Sequence, residues 1–281
     1  MRKAGSCAVV LLACLGSHVS LGACALALPR LKVVAESARW VVVDKPSGVS
    51  CHRSSKGDGV LSLLRMDALE AGATEADCSE YRLVHRLDDG TSGCLVVAKD
   101  RDTAAALCDA FRSRRARKAY VALVSRAPKK KKCTMRGDVV KGRRGAWKLE
   151  RSCTRGRCAC TVFTKAIGLG PSSEADVAVK CLVARPVTGK THQIRVAAKA
   201  NGAPILGDDL YAGHSADRLY LHAAALRIPD LGIDCATPPT SGHSFLTDRF
   251  AEAWATLDWS VELGDGALPK SATDHPALRP Q

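Results

Sequence analysis

Residues 85–93 read His-Arg-Leu-Asp-Asp-Gly-Thr-Ser-Gly and run directly into Cys94-Leu95-Val96-Val97-Ala98. A short, unbroken apolar run entered from a charged turn reads as a buried strand. It commits the chain to a sheet inside a core, with a polar loop held at the mouth of one strand. Loops on rigid scaffolds are where chemistry concentrates. The same composition also makes an ordinary surface turn, so this stretch alone does not decide. About a hundred residues later, 188–195 read Thr-Gly-Lys-Thr-His-Gln-Ile-Arg. Together the two stretches offer one carboxylate, Asp88, and one guanidinium, Arg195, each in dense polar context. Asp89 is the natural control for Asp88: in extended backbone adjacent side chains face opposite ways, so only one of the two can enter a cleft.

The rest of the pattern gives the class. Ala38 to Asp44 reads as a strand ended by a turn at Pro46 to Gly48, and Cys94 to Lys99 as a second strand. Asp102 is expected to cap a helix with apolar positions Ala106, Leu107, Ala110 and Phe111. Arg112-Ser113-Arg114-Arg115 suits its C-terminus. Residues 118–125 form a strand, and Lys129 to Arg157 a long basic hairpin or loop. Cys158 to Ile167 and Asp176 to Ala184 are strands joined by a turn at Pro171-Ser172-Ser173. His192 to Ala200 is a short helix ended near Asn201-Gly202, and Asp258 to Leu263 a last strand. Strands fall in neighbouring runs without β-α-β alternation, so the class is α+β. There is no internal repeat.

Charge is placed unevenly. The 281 residues carry a formal net charge of +14, but residues 112–165 hold 19 Lys/Arg against 2 Asp/Glu, and the remainder nets −3. A basic block of this density suits a polyanion, because each neutralised phosphate releases counterions. Aromatics make up only 4%, too few for a broad base-stacking platform. Most of the 13 cysteines lie in apolar or small-residue strings such as those around Cys94, Cys108 and Cys181. That is how reduced cysteines behave as small core residues. Cys153, Cys158 and Cys160, with Cys133 upstream, do not have a standard zinc spacing. No metal is expected. There is also no Walker loop, no G-x-G-x-x-G opening a helix and no H-E-x-x-H, and no cofactor is expected.

Arg2 and Lys3 precede an apolar run from Cys7 to Leu15 and then small residues through Ala27, the pattern of a secretory signal. The run is too short to span a bilayer. Residues 1–30 are therefore read as a targeting leader, 31–263 as one domain with a basic insertion at 126–157, and 264–281 as a disordered tail. No stable membrane insertion is expected once the leader is removed, and the chain is expected to be a monomer.

The two polar stretches, with Val43-Asp44-Lys45-Pro46-Ser47-Gly48, Lys118-Ala119-Tyr120-Val121-Ala122, Pro204-Ile205-Leu206-Gly207-Asp208 with Tyr211, and Leu221-His222-Ala223, resemble the RluA-type family of RNA pseudouridine synthases. The matches run in family order from about residue 31 to about 263. The resemblance implies a mixed, mainly antiparallel sheet with flanking helices and a central RNA-binding cleft. It implies an isomerase acting on a uridine in structured RNA, ribosomal or transfer. Such a reaction breaks the bond from uracil N1 to the ribose, turns the base and rejoins it through C5. Nothing is gained or lost, so a carboxylate acting as nucleophile or base suffices. By the resemblance that carboxylate is Asp88. Arg195 would orient it and keep it ionised. Tyr120 would lie against the flipped uracil, Arg86 would fill the space the base vacates, and Leu221 would form an apolar wall. Lys190 and His192 would complete the substrate contacts, although His192 and His85 more simply hydrogen-bond their loops into shape. An RNA-modifying domain behind a leader points to an organelle, mitochondrion or plastid.

Three positions depart from the family pattern: Lys190 stands where an arginine is usual, Ala197 where a histidine is usual, and Asp89 where a basic residue or Gln is frequent. Two rival readings remain at this level. One is a non-catalytic RNA-binding protein on the same fold. The other is a zinc-dependent nucleic-acid module built on Cys133, Cys153, Cys158 and Cys160.

Overall fold

The computed structural model describes residues 30–52, 58–171, 178–264, 268, 269, 272 and 274–278. The expected leader, Arg30 apart, lies outside the described residues, as do Ser172 and Ser173 of the expected turn. The chain opens with β1 (Lys32–Glu36) and β2 (Trp40–Lys45), then α1 (Val60–Glu70), α2 (Glu75–Ser79), β3 (Arg82–Leu83), β4 (Ser92–Ala98) and α3 (Arg101–Arg112). Next come β5 (Arg117–Val124), β6 (Cys133–Lys141), β7 (Trp147–Glu150), β8 (Cys158–Pro171), β9 (Ala178–Pro186) and α4 (Gln193–Ala200). It closes with β10 (Leu221–Ile228), β11 (Ile233–Ala236), α5 (Asp248–Ala255) and α6 (Trp259–Glu262).

All the strands join one sheet in the order β1-β2-β4-β10-β5-β9-β8-β6-β7, with β3 on β4 and β11 on β10. Every named pair is antiparallel except β4 with β10. The mixed, mainly antiparallel α+β sheet is therefore as expected. Strand β4 sits inside it. Leu95 and Val97 face the cluster that includes Leu63 and Leu64 of α1, while Cys94 and Val96 face the cluster of Leu107 and Ala110 of α3. Cover on both faces is why the run carries no polar alternation. At its entry, Gly93 has φ +109, and a Cβ there would lie 2.3 Å from the Ala223 carbonyl oxygen. Only glycine lets the parallel pair His222–Ser92 and Ala223–Gly93 close.

The basic segment is a true hairpin. Arg144 and Gly145 both have positive φ, 53° and 76°, the signature of a two-residue type I′ turn. The Ala146 N–H donates to the Arg143 carbonyl at 3.0 Å to close it, and the Gly142 N–H donates to the Ala146 carbonyl at 2.7 Å. Lys129 to Lys132 are exposed, and the Lys129 N–H donates to the Asn201 carbonyl at the end of α4 at 2.8 Å.

Four expectations need correction. The cap of α3 is Asp100, whose carboxylate accepts from the Thr103 N–H at 2.7 Å. Its backbone is extended, as a cap requires, and Asp102 lies in the first helical turn. Residues 258–263 are not a strand. Asp258 accepts from the Ser260 N–H and caps α6, and Trp259 packs on Trp254 with ring centres 4.8 Å apart. The apparent alternation there yields to a local side-chain-to-backbone cap. Cys153 and Cys158 form a disulfide, because the tight turn after β7 returns the chain to β8 within bridging reach. Finally, Leu268, Ala272 and Leu278 of the expected tail pack on Cys158, Cys160 and Val162, so apolar burial docks these residues against β8. No helix among the described residues is long and apolar enough to cross a membrane.

Candidate active site

The loop carrying Asp88 is held by the turn that follows β2. Lys45 is fully buried, and its Nζ donates to the carbonyls of Pro46 (2.9 Å), Val49 (2.5 Å) and Asp89 (2.9 Å). Burial pushes its pKa down to about 8 against the pull of neighbouring Cys51 and Asp89. The Gly48 N–H also donates to the Asp89 carbonyl at 2.8 Å, and Ser47 Oγ to the Gly90 carbonyl at 2.8 Å. The Thr91 N–H closes the turn onto the Asp88 carbonyl at 2.9 Å. Asp88 and Asp89 thus diverge because they lie in a turn. Asp88 lines the cavity and Asp89 does not; the turn, rather than the extended backbone anticipated, separates them.

Arg195 comes from the first turn of α4, which starts at His192 in a left-handed conformation. It faces two carboxylates. Asp208, whose side chain is fully buried, accepts from Nε and Nη2 at 2.8 Å each. Asp88, 23% exposed, accepts from Nη1 at 3.2 Å. The bidentate pair is therefore with Asp208, and Asp88 takes the remaining face of the fork. Burial works against the Arg195 charge, but the hydrogen bonds and charge of Asp208, with help from Asp88, win and raise its pKa. His192 Nδ1 lies 2.9 Å from the Tyr211 hydroxyl. That oxygen accepts from the Trp147 N–H of the basic hairpin at 3.0 Å. His192 Nε2 faces Asp88 at 3.9 Å.

A cavity of about 150 Å³ opens beside this group. All seven expected site residues line it: Asp88, Tyr120, Arg195, Arg86, Leu221, Lys190 and His192. Tyr120 is buried on β5, and among the described residues nothing bonds to its hydroxyl. Burial, and then the Asp88 charge, raise its pKa, so the phenol is held protonated. Leu221 is a buried apolar wall. Arg86 reaches the cavity from the exposed side. Lys190 stands at the rim with Nζ donating to the Gly156 carbonyl at 2.5 Å. Ala197 is buried in the core of α4 and does not line the cavity, so that departure leaves the site intact. His85 accepts from the Val96 N–H through Nε2 at 3.0 Å. Burial, then Lys118, push its pKa down to about 3. It is a neutral loop-shaping group, as expected.

Three participants carried no role in the sequence. Asp208 and Tyr211 sit in the Pro204–Tyr211 turn, and a charge in so apolar a string was the available signal. Lys118, two residues before Tyr120, lines the cavity, and burial pushes its pKa down to about 8. Among the described residues no group of three or more His, Cys, Asp or Glu could hold a metal ion. Cys153 and Cys158 are spent in the disulfide, which removes the zinc reading.

A carboxylate ion-paired to an anchored guanidinium, beside a buried tyrosine and a dense basic face, defines an acid–base site built to meet an anionic substrate. Residues 39–200 match the RNA pseudouridylate synthase family. The chain belongs to that family, among its RluA-type members, and is an isomerase. An uncharacterised RNA pseudouridine synthase of Haemophilus influenzae is 34% identical over 220 residues, 77% of this chain and 91% of its own length. Ribosomal large subunit pseudouridine synthase C of Escherichia coli K12 is 34% identical over 213 residues, 71% of this chain but 62% of its own. The structure of human RNA pseudouridylate synthase domain containing 1 aligns over 81% of this chain and 96% of its own, with a TM-score of 0.61 and 26% identity.

Proposed function

We propose that this protein converts a particular uridine of structured RNA to pseudouridine, with Asp88 as the group that acts on the target nucleotide. One observation carries the reading. Asp88 faces the cavity on a guanidinium anchored bidentately by Asp208, and the Tyr120 hydroxyl, without a partner among the described residues, lines the same cavity. Arg195 holds the Asp88 carboxylate in position through the 3.2 Å contact from Nη1. Asp88 then serves as nucleophile or base while the N1–ribose bond breaks and the C5–ribose bond forms. Tyr120, which lines the same cavity, would exchange the proton that C5 loses. Arg86 enters from solvent to fill the stack the base has left.

Ribosomal RNA is the first substrate class to test, since several relatives are named for the large ribosomal subunit, and transfer RNA the second. The leader-like residues 1–30 support an organellar compartment, mitochondrion or plastid. A pseudouridine map of organellar and total RNA, with and without the protein and with an Asp88→Asn rescue, tests all three parts. Sites that vanish and return only with Asp88 support the reading. An unchanged map would leave a non-catalytic RNA-binding protein.

A further inference from the structure

We propose that Arg114, assisted by Arg155 and Lys190, forms a phosphodiester-binding subsite for the RNA strand beside the target uridine. The identity of the anion rests on the pseudouridylation reading. The subsite itself rests on how the cavities join. Residues 186–190, crossing from β9 to α4, wall the catalytic cavity on one side. Two further cavities open against the same strap. Thr188, Gly189 and Lys190 line the catalytic cavity and the first of these. Lys118 and Pro186 line the catalytic cavity and the second. Arg114 and Val187 line both outer cavities. The three openings are thus one continuous surface around one strap. Among the described residues, none lining the two outer cavities is acidic.

The cations along this surface are not equally free. Arg112 is paired with Asp109 at 2.6 Å. Arg117 and Arg185 each donate to carbonyls at the end of α6, Leu263 and Gly264, at 3.3 Å. Arg114 differs. It is half-buried, burial depresses its pKa, and among the described residues no carboxylate or carbonyl accepts from its guanidinium. A half-buried guanidinium with no acceptor among the described residues keeps its donors for a ligand, and a phosphate oxygen is the acceptor it matches best.

Its backbone makes the same point independently. Arg114 follows the C-cap Ser113 of α3 with φ 62°. Its N–H donates to the Phe111 carbonyl at 3.3 Å, and the Ala116 N–H to the Ala110 carbonyl at 3.0 Å. This is the left-handed position that ends a helix, where glycine is the usual residue because any side chain is strained there. The chain carries an arginine instead, and it lines both outer cavities. Strained residues of this kind gather at functional sites. A planar guanidinium is also the group best matched to a phosphate.

The conformation supplies a clean test. Arg114→Gly deletes the guanidinium and relieves the strain, so its melting temperature should equal or exceed that of the unaltered protein. Its affinity for a fluorescent RNA hairpin with an all-uridine loop should fall roughly tenfold at low salt. The slope of log affinity against log salt should become shallower by about 1. Neutral methylphosphonate linkages are then placed one at a time on either side of the target uridine. One of them should weaken the unaltered protein but not Arg114→Gly, because the two changes remove the same contact. Arg114→Lys should keep the slope and lose part of the affinity. An unchanged slope in Arg114→Gly, or fully additive effects at every linkage, would overturn the subsite. If the unaltered protein forms no pseudouridine on any RNA yet Arg114→Gly still loses binding, the pseudouridylation reading fails and the anion site stands.

Discussion

Arg195 pairs with two carboxylates, and the structure makes their removal predictably unequal. In Asp88→Asn the guanidinium keeps both 2.8 Å bonds to fully buried Asp208. What disappears is one 3.2 Å ion pair to a side chain 23% exposed. A partly solvated pair of this kind contributes about 0–1 kcal/mol. For a domain of this size that shifts the melting temperature by about 4 °C at most. In Asp208→Asn the bidentate pair is broken inside the protein and a buried charge is left poorly matched, which costs about 3–5 kcal/mol. Both variants should lose pseudouridine formation: the first because the reacting carboxylate is gone, the second because its holder has moved. Thermal melts alongside a pseudouridine assay on the same preparations separate the two. Asp88→Asn should be folded, RNA-binding and inactive, and Asp208→Asn markedly less stable. A fully active Asp88→Asn, or one as unstable as Asp208→Asn, would refute the division between a reacting and a structural carboxylate.

Other measurements follow from the same geometry. Tyr120→Phe keeps the apolar packing and removes only the hydroxyl, so turnover should fall roughly a hundredfold or more while RNA affinity stays unchanged in a filter-binding assay. Lys118 is charged below its depressed pKa of about 8 and neutral above it, so RNA affinity should decline as pH rises through about 8. Lys118→Arg should flatten that limb in a pH titration of binding; a persisting limb would assign it to Lys45 instead. Neutralising Lys129 to Lys132 should make the salt dependence of RNA binding shallower by about 1 for each phosphate no longer engaged, and an unaltered slope would remove that segment from the interface. Alkylation mass spectrometry should find Cys153 and Cys158 protected until a dithiol reductant is added, with the free cysteines unaffected by that step.

Some of this site was legible before any coordinates, and the reason is local. The polar loop before β4 announces itself because an unbroken apolar run beside Asp, Gly, Thr and Ser reads as a buried strand meeting a turn. The basic hairpin shows as charge density, and α4 shows as helical spacing ended by Asn201-Gly202. Other elements misled. Residues 258–263 alternate like a strand, yet a single carboxylate at Asp258 converts them to a helical turn. The cysteines look uniformly reduced until the β7-to-β8 turn brings Cys153 onto Cys158.

The sequence by itself determined the family, the α+β class and the two stretches that meet at Asp88 and Arg195, because these depend on residue type and local spacing. Only the tertiary structure decided who holds whom. Asp208 takes the stronger half of Arg195, Lys45 fastens the Asp88 loop, the hairpin reaches His192 through Tyr211, and Arg114 faces two cavities without a partner among the described residues. Each of these joins residues far apart in the chain, or turns on burial, and both are properties of packing. No local pattern encodes which of two carboxylates a guanidinium will face once the sheet has closed.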